Sequence, residues 1–314
     1  MTTRLELAPR RFSVLRFIRG TVAVLLSLNL IGSIFLAENA LHLPDGKRPD
    51  MATESLFASQ FSKGTHASSR FFQVHASDGA ILSAWLFTPP HSNHAGVVLL
   101  HGVGDMWHGV LGQARFLLDA GYTVLAPDSR AHGMSGGKLI TYGLLEVDDI
   151  RQWAGLLLRQ SGIDRLYGAG QSMGAAVLLQ SLARESQFRA IAADCPFATF
   201  EEIAFDRMDQ FGLHSRLFSW PIVQAGFLYT RTRYGLDLRT VSPALALKST
   251  RTPVLLIHGT ADSNIPIRHS RELHADNPAA TELWEVPGAE HVQCVSQAPV
   301  DYARRVTAFF AAHL

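Results

Sequence analysis

The sequence predicts an α/β domain: a mostly parallel eight-stranded sheet with helices on both faces. Three observations carry this. From residue 70 onward short apolar runs alternate with helical patterns. Several of those runs are continuously hydrophobic, as strands buried on both faces must be. The turn Gly170-Gln171-Ser172-Met173-Gly174 joins one such strand to one such helix. With 314 residues and 47% apolar content, the chain has enough material for one large core. A formal charge of +1 offers no field for nucleic acid, so no nucleic-acid partner is expected.

The N-terminus departs from a soluble pattern. Arg4, Arg10, Arg11, Arg16 and Arg19, against Glu6 alone, make residues 1–19 a basic tail. Residues 20–37 carry no charge and are long enough to cross a bilayer. The positive-inside rule then keeps the tail cytoplasmic and puts the rest on the periplasmic or extracellular side as a single-pass protein. The alternative, secretion after signal-peptide cleavage, needs small residues at −3 and −1. Cleavage after Ala37 or Ala40 would put Phe35 or Glu38 at −3, so an uncleaved anchor is favoured. Residues 38–69, with Pro44, Asp45, Gly46 and Pro49 and then a Ser/Thr/Gly-rich stretch, read as a linker packed partly on the domain. Every chemistry-bearing motif lies beyond residue 70, so residues 1 to about 40 are expected to be dispensable for activity.

The domain, residues 70–314, opens with a hairpin of residues 71–74 and 81–88 around Ser77-Asp78-Gly79. Strands follow at 96–100, 122–126, 166–169, 190–193, 254–257 and 283–286, with helices at 113–120, 146–159, 175–184 and 300–312. About fifty residues, 196–245, interrupt the alternation and read as a small cap insertion. Its aromatics, among them Phe200, Phe211, Phe218, Trp220 and Phe227, either form the cap's own core or make an apolar roof.

Ser172 stands where strand turns into helix, and glycines at −2 and +2 allow the close approach such a turn needs. It is the candidate nucleophile. A serine hydroxyl needs a base and an acid to orient that base. His291 follows the strand at 283–286 and Asp262 follows the strand at 254–257, so all three reach the carboxyl edge of the sheet. Asp194, which ends an earlier strand, competes with Asp262 for the acid's role. Cys195 and Cys294 lie near the same edge without metal-site spacing, and sequence leaves their pairing open.

Taken together, His101-Gly102-Val103-Gly104, Asp128-Ser129-Arg130-Ala131-His132-Gly133-Met134-Ser135, the turn at 170–174, His258-Gly259-Thr260-Ala261-Asp262 and Gly288-Ala289-Glu290-His291 resemble the α/β-hydrolase superfamily, in its esterase, lipase and serine aminopeptidase-like branch. The resemblance covers the chain from about residue 70 to the end. It implies the α/β-hydrolase fold and an oxyanion hole formed by the backbone N–H groups of Met173 and Val103, with His101 holding the loop. Ala131 stands where the branch usually has glycine. Trp107 and His108 either line the pocket mouth or start a helix.

The expected activity is a serine hydrolase cleaving carboxylic esters of short to medium acyl chains through Ser172, His291 and Asp262, with soluble esters preferred over emulsified triglyceride. No metal or organic cofactor is expected, because the triad's steps need none. Peptidase, amidase or acyltransferase activity on the same triad is the alternative enzyme, and a noncatalytic membrane-tethered binding module is the alternative of another class. The oligomeric state is not legible.

Overall fold

A computed structural model describes residues 14–43, 49–184 and 187–314. The readings placed on Arg4, Glu6, Arg10 and Arg11, and on Pro44, Asp45 and Gly46, lie outside the described residues.

In chain order the elements are α1 (Val14–Leu41), α2 (Met51–Thr65), β1 (Ser68–His75), β2 (Ile81–Thr88), β3 (Ala95–Leu100), α3 (Leu111–Asp119), β4 (Thr123–Pro127), α4 (Glu146–Leu158), β5 (Arg165–Gln171) and α5 (Met173–Ser181). There follow β6 (Ala190–Asp194), α6 (Phe200–Gln210), α7 (Arg216–Tyr234), α8 (Pro243–Ser249), β7 (Val254–Gly259), α9 (Arg268–Asp276), β8 (Thr281–Val286), α10 (Cys294–Gln297) and α11 (Pro299–Ala312). Eight strands form one sheet in the order β1-β2-β4-β3-β5-β6-β7-β8. Its first two pairings, β1 with β2 and β2 with β4, are antiparallel, and the other five are parallel. The opening hairpin turns where expected, with Gly79 at φ +85°.

Pleating sorts the buried strands' side chains to two sides. Val97 and Leu99 of β3 join Ala58, Leu117 and Phe310 from α2, α3 and α11. Val98 and Leu100 face the other way, onto Trp153, Leu178, Leu247 and Leu273 from α4, α5, α8 and α9. Strand order reverses between β4 and β5, on either side of β3. An open α/β sheet gathers ligands at such a point, and the turn bearing Ser172 leaves β5 there.

The linker reading of residues 38–69 is corrected, because helix occupies most of it. Helix α1 runs through residue 41, and α2 spans Met51–Thr65. Asp50 caps α2 by accepting the Thr53 N–H at 3.0 Å. Packing supplies what the weak periodicity lacks: Ala58 is fully buried, Phe61 meets Phe87 edge-on, and Glu54 accepts the Trp107 indole N–H. Trp107 is therefore a buried tie to α2 rather than a pocket rim. The cap also ends earlier than residue 245, since Ser242 accepts the Leu245 N–H and starts α8, which belongs to the sheet's own packing.

Residues Arg16–Leu41 are long and apolar enough to cross a membrane or to serve as a signal peptide. The helix is not a detached tether, however. Its N-terminal half is exposed, while Ser33, Ala37 and Leu41 are buried on one stripe. Leu41 packs in one cluster with Phe200 of α6 and Phe227 of α7. Glu38 accepts hydrogen bonds from Tyr229 (2.6 Å) and Tyr234 (2.7 Å), and the Ala40 carbonyl accepts one from Tyr142 (2.7 Å).

These contacts bear on the expectation that residues 1 to about 40 are dispensable for activity, because they give residues 33–41 a share in the stability of the folded domain. Removing residues 1–41 should lower Tm by roughly 5–15 °C, judged from about 2–5 kcal/mol for deleting even one buried leucine. Thermal unfolding of the truncated and full-length proteins in the same detergent checks it; equal Tm values would return α1 to the role of a tether.

Candidate active site

Ser172 connects β5 to α5 at φ +53° and ψ −119°, outside the regions a serine ordinarily adopts. Such a residue costs about 1–3 kcal/mol and persists only where its surroundings hold it. The flanking glycines supply the space. A Cβ on Gly174 would stand 2.6 Å from the His101 carbonyl oxygen, and one on Gly170 would stand 2.9 Å from the Gly174 carbonyl carbon.

The structure brings Ser172, His291 and Asp262 into one hydrogen-bonded chain. His291 Nδ1 lies 2.7 Å from Asp262 Oδ2, and its Nε2 lies 2.9 Å from Ser172 Oγ. An ionised carboxylate only accepts, so Nδ1 carries the hydrogen and Nε2 is left free to accept from the serine hydroxyl. Asp262 is anchored further by the N–H groups of Asn264 (2.9 Å) and Ile265 (2.8 Å). Burial pushes its carboxyl up, but hydrogen bonds from His258 and His291 outweigh that and hold it well below the usual carboxylate range. It stays ionised.

His258 was quoted in the motif but given no role. Its Nδ1 accepts from Ser270 (2.7 Å), and its Nε2–H is shared between the Ile265 carbonyl (2.8 Å) and Asp262 Oδ2 (3.3 Å). It thus fixes the loop carrying Asp262.

Asp194 belongs to another cluster. Its carbonyl accepts the Ser172 N–H at 2.7 Å, while its carboxyl accepts from Cys195 (3.2 Å) and Tyr302 (3.1 Å). Burial pushes that carboxyl up. Cys195 and Cys294 are free, buried thiols. Ligand atoms of Asp194, Cys195 and Cys294 lie within 4.8 Å of one another. Hydrogen bonding to Cys294 and burial push the Cys195 thiol well up. Glu290, beside His291, turns away to Ser263.

The loop after β3 lies against the serine. Gly102 lacks a side chain where a Cβ would be 3.3 Å from Ser172 Cβ. His101 staples this loop to the one after β4, donating from Nδ1 to the Gly102 carbonyl (2.7 Å) and accepting the Ser129 N–H at Nε2 (2.9 Å). Burial drops its pKa to about 3, which keeps the acceptor nitrogen free. His132 does the same for Gly104, accepting its N–H at 3.0 Å. Asp128 accepts the N–H groups of Trp107 and Met134. Ala131 takes φ +61°, the conformation glycine adopts at no steric cost, so its methyl strains this turn.

Val103 and Met173 line the same cavity as Ser172. Met173 opens α5, where a backbone N–H has no intrahelical partner. The cavity has a volume of about 360 Å³ and rises from Ser172 between three helices. Phe200, Ile203 and Met208 come from α6, and Ile222, Val223 and Phe227 from α7. Leu36, Ala37 and Ala40 of α1 close the remaining side, which no motif in the sequence signalled. Among the described residues Arg207 is the only charged side chain lining it.

A sequence profile described as the Alpha/beta hydrolase family matches residues 97–305. The chain is 31% identical over 224 residues to the uncharacterized protein YqkD of Bacillus subtilis (strain 168), covering 70% of this chain and 72% of that one. In three dimensions it is similar to the esterase Pf2001 of Pyrococcus furiosus, with a TM-score of 0.67 and 24% identity over 86% of this chain and 99% of the esterase. It is also similar to an acylaminoacyl peptidase of Pyrococcus horikoshii, with a TM-score of 0.60 and 19% identity over 79% of this chain and 42% of the peptidase. At those identities the two solved structures speak to the fold, whereas the profile and the bacterial relative reach further: this chain belongs to the alpha/beta hydrolase family.

Proposed function

We propose that the protein is a serine hydrolase cleaving carboxylic esters of short to medium acyl chains. The observation that carries this reading is the hydrogen-bonded run Ser172, His291, Asp262 at the floor of an apolar cavity. In it, Ser172 Oγ attacks the ester carbonyl carbon while His291 Nε2 takes the hydroxyl proton. The backbone N–H groups of Met173 and Val103 hold the developing oxyanion, each worth roughly 100- to 1,000-fold in rate. His291 then returns the proton to the leaving alkoxide, and the acyl group remains on Ser172. A water deprotonated by His291 attacks that acyl ester, releases the acid and restores the serine. Asp262 holds the histidine tautomer and offsets the imidazolium charge without taking the proton.

We read residues 20–37 as an uncleaved anchor, with the basic residues 1–19 cytoplasmic and residues 70–314, capped from residue 196, on the other side of the membrane. Support comes from Ser33, Ala37 and Leu41, which pack into the folded domain, so cleavage near them would strip a wall from the cavity.

Labelling with a fluorophosphonate tests the chemistry. The full-length protein should form a stable adduct on the peptide containing Ser172 and hydrolyse p-nitrophenyl butyrate, and labelling should abolish that hydrolysis. Neither adduct nor hydrolysis would leave a binding module, and cleavage of aminoacyl amides without ester cleavage would point to a peptidase.

A further inference from the structure

We propose that the cap sits in the membrane interface beside α1, and that the cavity draws its esters directly from the bilayer. The substrate half of this proposal rests on the serine-esterase reading, and both halves rest on reading α1 as a membrane anchor.

Helices α1 and α7 run side by side in the same direction. Gly226 lies against Ser33, where a Cβ would be 3.5 Å from the Ser33 carbonyl oxygen. Further along, Tyr229 and Tyr234 both meet Glu38, and the Tyr234 ring lies 6.0 Å from that of His42. Because the two helices run in the same direction, residues 216–220 of α7 lie on the side of the Gly226 contact that faces the uncharged run of α1, with Pro221 interrupting the helix between them.

Three of the side chains there, Leu217, Phe218 and Trp220, are apolar and unburied. Leu217 is 77% exposed, Phe218 64% and Trp220 57%, and Phe211, at the end of α6, is 66% exposed. His214 and Arg216 lie in the same stretch. Tryptophan, phenylalanine and leucine interleaved with basic side chains suit the boundary between headgroups and acyl chains, where apolar groups reach about 5–10 Å deep. The patch continues onto the exposed apolar face of α1, which makes a bilayer its occupant rather than another protein.

The same geometry sets the entry route. Phe211 and Ile222 line the cavity and also border the patch, while Leu36, Ala37 and Ala40 of α1 form the facing wall. The route runs from the patch past Phe211 and Ile222 to Ser172, so an acyl chain entering from the leaflet stays against apolar side chains. This departs from the soluble-ester preference expected from the sequence: the preferred substrate is an acyl ester that resides in the bilayer.

The test uses full-length protein in phosphatidylcholine vesicles, with p-nitrophenyl butyrate in solution and p-nitrophenyl decanoate in the bilayer. A variant combining Leu217→Ser, Phe218→Ser and Trp220→Ser should keep butyrate hydrolysis within about twofold and lose decanoate hydrolysis by at least about tenfold. Lipids brominated on their acyl chains should quench the wild-type protein more than a Trp220→Phe variant. Equal losses on both esters, undiminished decanoate hydrolysis, or identical quenching of the two proteins overturns the proposal. Failure of the wild type to cleave butyrate would instead overturn the esterase reading, and the quenching comparison would still decide the docking.

Discussion

Ser172→Ala is expected to lower kcat/KM for p-nitrophenyl butyrate about 10⁴-fold or more, and His291→Ala should do nearly the same. In the proposed mechanism the hydroxyl and the imidazole act as one unit across a 2.9 Å hydrogen bond, so removing either removes the same step. The double variant should therefore be little worse than either single one, whereas independent contributions would multiply. Steady-state kinetics on the three purified variants, with unfolding curves to confirm intact folds, makes the comparison. Near-normal turnover by Ser172→Ala would remove it as the nucleophile.

The second large effect separates the two aspartates. Asp262→Asn should cost about 10³- to 10⁴-fold, because an amide can donate to Nδ1 and so favour the tautomer whose Nε2 bears hydrogen and cannot accept from Ser172. Asp194→Asn should cost less than about tenfold, since an amide oxygen still accepts from Tyr302 and Cys195, and one such bond is worth about 1 kcal/mol. The reverse ranking in kcat/KM would transfer the acid's role to Asp194.

How much of this was legible depended on the range of the interactions involved. The turn around Ser172 is local, because its glycines, its strand and its helix are contiguous, and β3 to β8 could be read from continuous apolar runs. Asp262 and His291 could be placed at the sheet's carboxyl edge because each follows its own strand, so placing the strands placed both. Helix α2 was missed because Ser62, Gly64 and Thr65 weaken its pattern and its stability comes from Phe87 and Trp107, distant in sequence. Asp50 ahead of Met51 was the cap signal that could have found it. The α1 wall had no local signal at all. An apolar span reads the same whether its end hangs free or packs on α7, and only the partners Tyr142, Tyr229 and Tyr234 distinguish the two.

The φ of +53° at Ser172 also bears on how this protein could be improved. Glycine would occupy that position without the steric penalty serine carries, so the folded chain would relax if its proposed nucleophile were given up. Selection for heat resistance alone thus favours discarding the hydroxyl on which the proposed chemistry depends. Any engineering campaign on this scaffold has to score turnover in every round, because position 172 is where robustness and reactivity pull in opposite directions.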